Sequence, residues 1–122
     1  MSDIFVNSMH IGALSGATRL LFQAPDSANG GGMSILSAHI LSGTTTSSVM
    51  LKKYSSAATP VLNGTIAAAV GGTASAFVAD TPKDFTIATP FVNAGEWVAV
   101  TEGSVQACDS AATIVFVCQL GR

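Results

Sequence analysis

The stretch Ala112-Thr113-Ile114-Val115-Phe116-Val117-Cys118-Gln119-Leu120 decides the fold. Side chains alternate across a strand, so Ile114, Phe116, Cys118 and Leu120 share one face. Thr113, Val115, Val117 and Gln119 share the other. A strand apolar on both faces lies centrally in a sheet or under a neighbouring chain. Just upstream, Glu96-Trp97-Val98-Ala99-Val100-Thr101 reads as another strand, entered through the turn Asn93-Ala94-Gly95. Residues 97–106 and 112–120 read as a hairpin with its turn near 107–111. Trp97 alternates with Ala99 and Thr101, while Val98 and Val100 point the other way. Valines facing the core would leave Trp97 on the outer face. Valines facing a second layer would put it inside.

Working further outward, short strands alternate with turn signals every 8–12 residues. Residues 17–24 form a strand stopped by Pro25-Asp26, and residues 33–42 form a second. In the latter, Leu36, Ala38 and Ile40 share one face, and Ile35, Ser37, His39 and Leu41 the other. Residues 47–54 follow, with the adjacent pair Lys52-Lys53 at a solvated strand end or a protected edge. Asn63-Gly64, between Val61-Leu62 and Thr65-Ile66, is a two-residue hairpin signal. Segments 73–80 and 84–89 straddle Thr81-Pro82-Lys83, and Phe85 and Ile87 point the same way. No segment keeps a 3.6-residue period over a helix's length, although one or two helical turns fit near 66–76. This pattern predicts an all-β chain. The predicted architecture is an antiparallel β-sandwich of jelly-roll type with eight or nine short strands. Residues 1–16 are an N-terminal arm or edge strand, and 17–122 a single sandwich domain.

Composition limits what such a domain can do. The 122 residues carry a net charge of −2, and only 10% are charged. Ala, Gly, Ser and Thr together make 57 of them. Five Lys and Arg cannot lay a basic stripe, so no nucleic-acid partner is expected. No apolar run approaches the roughly 18–20 residues of a membrane helix, so no membrane partner is expected either. Such charge depletion marks either surface that ends against a partner or a surface solubilised by Ser and Thr. No secretory signal is read at Met1-Ser2-Asp3-Ile4-Phe5-Val6, which places the chain in a cytoplasm or inside a larger particle.

Catalytic equipment is missing from the pattern. General acid–base work needs two positioned titratable groups. The acids instead sit at strand ends and in turns, where Asp bonds local backbone. Glu96 and Glu102 end one strand about 20 Å apart. Asp80 and Asp84 flank Pro82, but calcium wants six to eight oxygens. His10, His39, Cys108 and Cys118 have no zinc spacing, and both thiols are expected free. Gly30-Gly31-Gly32 lacks the Gly-Lys-Ser/Thr of a phosphate loop. No catalytic residue, metal or cofactor is predicted, and no enzyme. The candidate partner contacts are Ile4, Phe5, Met9 and Ile11, too many apolar groups for a free arm, together with Trp97.

The Ala/Ser/Thr-rich β chain, the stretch Ser2-Asp3-Ile4-Phe5-Val6-Asn7 and the strand Gly95-Glu96-Trp97-Val98-Ala99-Val100-Thr101 before a terminal apolar strand resemble small structural proteins of tailed-bacteriophage virions. They are most similar to the head decoration, or cement, type. The resemblance is of style and layout over most of the chain, and it carries over no functional residue. It implies a capsid decoration protein on the virion surface, made in the host cytoplasm. Such a protein forms a homotrimer, or sits at symmetry axes, and clamps neighbouring subunits of the major capsid protein. Two alternatives stay open. One is a carbohydrate- or receptor-binding module of a tail fibre; the other is a tail or neck structural subunit.

Overall fold

The computed structural model describes residues 4–11, 18–25, 31–41, 48–71, 81–102 and 112–120. Nine strands run through them: β1 (Ile4–His10), β2 (Thr18–Gln23), β3 (Met33–Leu41), β4 (Ser48–Tyr54), β5 (Leu62–Gly71), β6 (Lys83–Asp84), β7 (Phe91–Val92), β8 (Trp97–Glu102) and β9 (Thr113–Leu120). They form two antiparallel sheets. The front sheet has the order β1-β9-β3, with β6 and β7 both paired to the far side of β3. The back sheet has the order β2-β8-β4-β5. If β6 and β7 count as one interrupted strand, the orders become 1-8-3-6 and 2-7-4-5, which is the jelly roll. The chain is thus an all-β sandwich of the architecture its turn spacing predicts.

The strand apolar on both faces, β9, is central between β1 and β3. Ile114, Phe116 and Cys118 point inward and are fully buried. They meet Met33, Ile35, Ala38 and Ile40 of β3, with Val98, Val100, Val49, Leu51 and Ile66 from the back sheet. Phe22 of β2 stands edge-on to Phe116, with ring centroids 5.1 Å apart and planes at 70°. Each such side chain contributes roughly 1.5–3 kcal/mol by leaving water. Between β6 and β7 the chain crosses to the other sheet. Ile87 bridges Ala67, and the Ala88 amide donates to the Ile66 carbonyl at 2.9 Å. It then returns to β3, where the Ile35 amide donates to the Pro90 carbonyl at 2.8 Å. This excursion closes one long side of the sandwich.

Five local expectations are corrected. The alternation in β3 changes phase: Ile35 faces the core with Ala38 and Ile40, while Leu36 and Ser37 both face out. The cause is a β-bulge against β9 between Ile35 and Ser37, which inserts one residue and shifts the pattern. Asn63-Gly64 makes no turn. It lies inside β5 at an irregularity in its pairing with β4. The turn falls at 55–61 instead, where the Ser55 amide donates to the Val61 carbonyl and the Val61 amide to the Ser55 hydroxyl. Lys52-Lys53 sits on β4, an inner strand of the back sheet, and not at an edge. The residues expected to form one hairpin, β8 and β9, lie in different sheets, because the jelly roll sends β8 to the back layer and β9 to the front. The helical turn near 66–76 is strand through Gly71, and the remainder lies outside the described residues.

Candidate interaction surfaces

The jelly roll leaves two outer sheet faces, the sheet edges and one end knitted by polar groups. At that end, Glu96 is the buried charged residue, 5% exposed. Its position follows from alternation: Trp97 faces out, so Glu96 faces in at the mouth of the sandwich. The Asn93 amide donates to its Oε1 at 2.7 Å, and Asn63 Nδ2 donates to Oε2. The Glu96 carbonyl accepts from the Ala24 amide at 2.8 Å. Beside it, Lys53 Nζ donates to the Phe91 carbonyl at 3.1 Å, tying the back sheet to the front. Every buried side-chain polar atom among the described residues has a partner, so this end is a satisfied clasp. Among the described residues no group of three or more His, Cys, Asp or Glu could hold a metal. Asp80 and Cys108 lie outside the described residues. Cys118 is a free, buried thiol, and burial pushes its pKa up to about 11.

The outer face of the front sheet is apolar and nearly uncharged. Register places Ile4 and Val6 of β1 beside Gln119 and Val117 of β9, with Ser37 of β3 beyond. Ile4 is 63% and Val6 65% exposed. Leu36, thrown outward by the bulge, and Leu41 are also exposed, and Val115 and Val117 are half-buried. His10 and His39 lie on the same face, and Asp84, opposite His39, is its one carboxylate among the described residues.

The outer face of the back sheet carries a cross-strand row. Gln23 pairs with Trp97, Trp97 with Tyr54, and Tyr54 with Leu62. Trp97 is therefore on the outer face and half-buried there, because Val98 and Val100 are the residues in the core. Leu62 and Val61 beside it are exposed. Gln23 Nε2 donates to the Gly95 carbonyl at 2.9 Å.

The expected partner contacts divide. Ile11 is 1% exposed and belongs to the chain's own core, so it is not offered to a partner. Phe5 and Met9 pack against that core from β1, and only Ile4 of the four is exposed. The residues that do form the front face, Val6, Leu36, Val115 and Val117, were missed. The two-faced apolarity of β9 was their signal, but their grouping needs the strand order. Tyr54 had no local signal, because it meets Trp97 only through the β4–β8 pairing. Comparison with family models, with curated proteins and with solved structures gives no match to this chain.

Proposed function

We propose that this chain is a non-enzymatic structural protein of a phage particle, one that decorates and stabilises the capsid by lying between shell subunits. The observation that carries the reading is the outer face of the front sheet, where Ile4, Val6, Leu36 and Leu41 are exposed around half-buried valines with, among the described residues, a single carboxylate at the margin. Contiguous apolar surface of this kind marks sites of protein contact, and depletion of charge is what distinguishes an interface core. A rigid sandwich with small side chains loses little entropy on docking. Repeated copies on one shell gain from effective concentration. Shell subunits and further copies of itself are the partners in this reading.

A second reading rests on the row Gln23–Trp97–Tyr54–Leu62. Aromatic rings beside an amide are a platform on which a sugar ring stacks, as a receptor-binding module of a tail fibre would need. The two readings use opposite faces, so one experiment separates them. Purified protein is tested against empty phage shells and against a glycan array. Binding to shells that is lost in Val6→Lys and Leu36→Lys, and kept in Trp97→Ala, supports decoration. Glycan binding lost in Trp97→Ala and kept in the lysine variants overturns it.

A further inference from the structure

Three of the sandwich's sheet edges carry devices that prevent a strand from adding to them. Among the described residues the fourth, β1, carries none along its own length, Arg19 of β2 donating to the Ile11 carbonyl just past its end. The edge of β5 is met by Ile87–Thr89. The strands β6 and β7 are two residues each, set off by Pro82 and Pro90. The strand β2 bears Arg19 and a bulge at Leu21. Short strands, prolines, charges and bulges are the usual protections of an edge. In contrast, β1 pairs with β9 over seven residues without a register shift, and Ile-Phe-Val-Asn-Ser-Met-His contains no Lys, Arg, Asp, Glu or Pro. Among the described residues nothing pairs with its other side.

Which backbone groups face outward follows from one hydrogen bond. The Ile11 amide donates to the Ala112 carbonyl at 2.9 Å, extending the ladder to β9. Antiparallel strands alternate between bonded and non-bonded pairs. Phe5, Asn7 and Met9 are therefore bonded to β9. The N–H and C=O groups of Ile4, Val6, Ser8 and His10 point away from it.

We propose that this edge is a self-association site, where β1 pairs antiparallel with β1 of a second copy about a two-fold axis at Asn7. That register sets Ile4 opposite His10 of the second copy and Val6 opposite Ser8. All four outward-facing residues then fall in hydrogen-bonded positions, so the pairing uses every free group of the edge. On the inner side Phe5 meets Met9 of the second copy, and the two half-buried side chains finish their burial. Asn7 meets its own copy, amide to amide. No charge opposes a like charge anywhere along the strand. The result joins two five-stranded sheets into one and doubles the apolar front face. A two-fold pair differs from the trimer implied by the resemblance, and it stands apart from the shell-binding reading.

The test is light scattering after size exclusion, joined to concentration-dependent amide exchange by NMR on the full chain. The expected mass is twice the 12.3 kDa of one chain. The Val6, Ser8 and His10 amides should slow at least about tenfold between about 10 µM and 1 mM, while those of Phe5, Asn7 and Met9 are protected throughout. Val6→Lys should give a monomer with unchanged circular dichroism. Ser8→Pro should do the same, because it removes an N–H that β9 does not use. A monomer or a trimer, even-numbered amides that exchange freely at every concentration, or a dimer that survives both substitutions overturns the pairing. Val6→Lys is expected to lose shell binding as well, so Ser8→Pro, which leaves the apolar front-face side chains intact, separates the two readings: a monomer that still binds shells leaves shell binding standing.

Discussion

Raising the pH from 8 to 11 should weaken the fold through one atom, Cys118 Sγ. The thiol is fully buried on β9 and its pKa rises from 9.0 to about 11 on folding, because burial penalises the thiolate. An acid whose folded pKa is raised contributes stability that is complete below the unfolded value and lost as pH climbs towards the folded one. The window is therefore pH 9 to 11. Linkage with these two values gives a loss of about 1 kcal/mol at pH 10 and about 2 kcal/mol at pH 11, against almost none at pH 8. Other groups titrate in this range, so the informative quantity is the difference between wild type and Cys118→Ala. The variant starts lower by a constant cavity cost, and its curve should converge on wild type by those amounts as pH rises. Urea melts at four pH values read the difference. Curves that stay parallel from pH 8 to 11 would refute the assignment of a buried thiol.

Three further perturbations probe the packing and the clasp. Phe116→Ala should cost about 3–5 kcal/mol, and its cycle with Phe22→Leu should show a coupling of about 0.5–1.5 kcal/mol from the edge-on ring pair; denaturant titrations giving zero coupling would deny the contact. Glu96→Ala removes the acceptor of the Asn93 amide and the Asn63 side chain, at about 0.5–1.5 kcal/mol for each bond because both donors lie on exposed residues that water reaches. Glu96→Gln keeps an acceptor and should cost less, so the reverse order in thermal melts would contradict the clasp. Gly32 has φ +77°, and a Cβ there would lie 2.7 Å from the Val92 carbonyl oxygen and 2.8 Å from Phe91 Cζ. Gly32→Ala should therefore lower stability by at least about 1–3 kcal/mol, and calorimetry that finds Gly32→Ala neutral would show that the 31–32 turn relaxes freely.

What the sequence made legible was whatever a two-residue period and its own neighbours determine. The apolarity of β9 on both faces foretold a central strand, because only a strand flanked on each side has use for it. The opposed facing of Trp97 and Val98 was also correct, but which side was core depended on a layer the local pattern does not contain. Local signals failed where tertiary demands overrode them. Asn63-Gly64 is fit for a turn, yet the Asn63 amide is needed by Glu96 and the glycine passes Lys53 inside β5. A single bulge at Leu36 was enough to reverse the facing of half of β3. The apolar front face was invisible for a different reason: its members come from residues 4–6, 36–41 and 115–117, and only the strand order sets them side by side.

The role proposed for this protein is adhesion inside a phage particle. The most direct measurement is quantitative mass spectrometry of phage particles purified from the cells that make this chain. On the proposed role, the chain is present in a fixed, high ratio to the major shell protein and is released together with loss of shell strength. Particles that lack it altogether, while the free protein binds a glycan or turns over a substrate, would overturn that role.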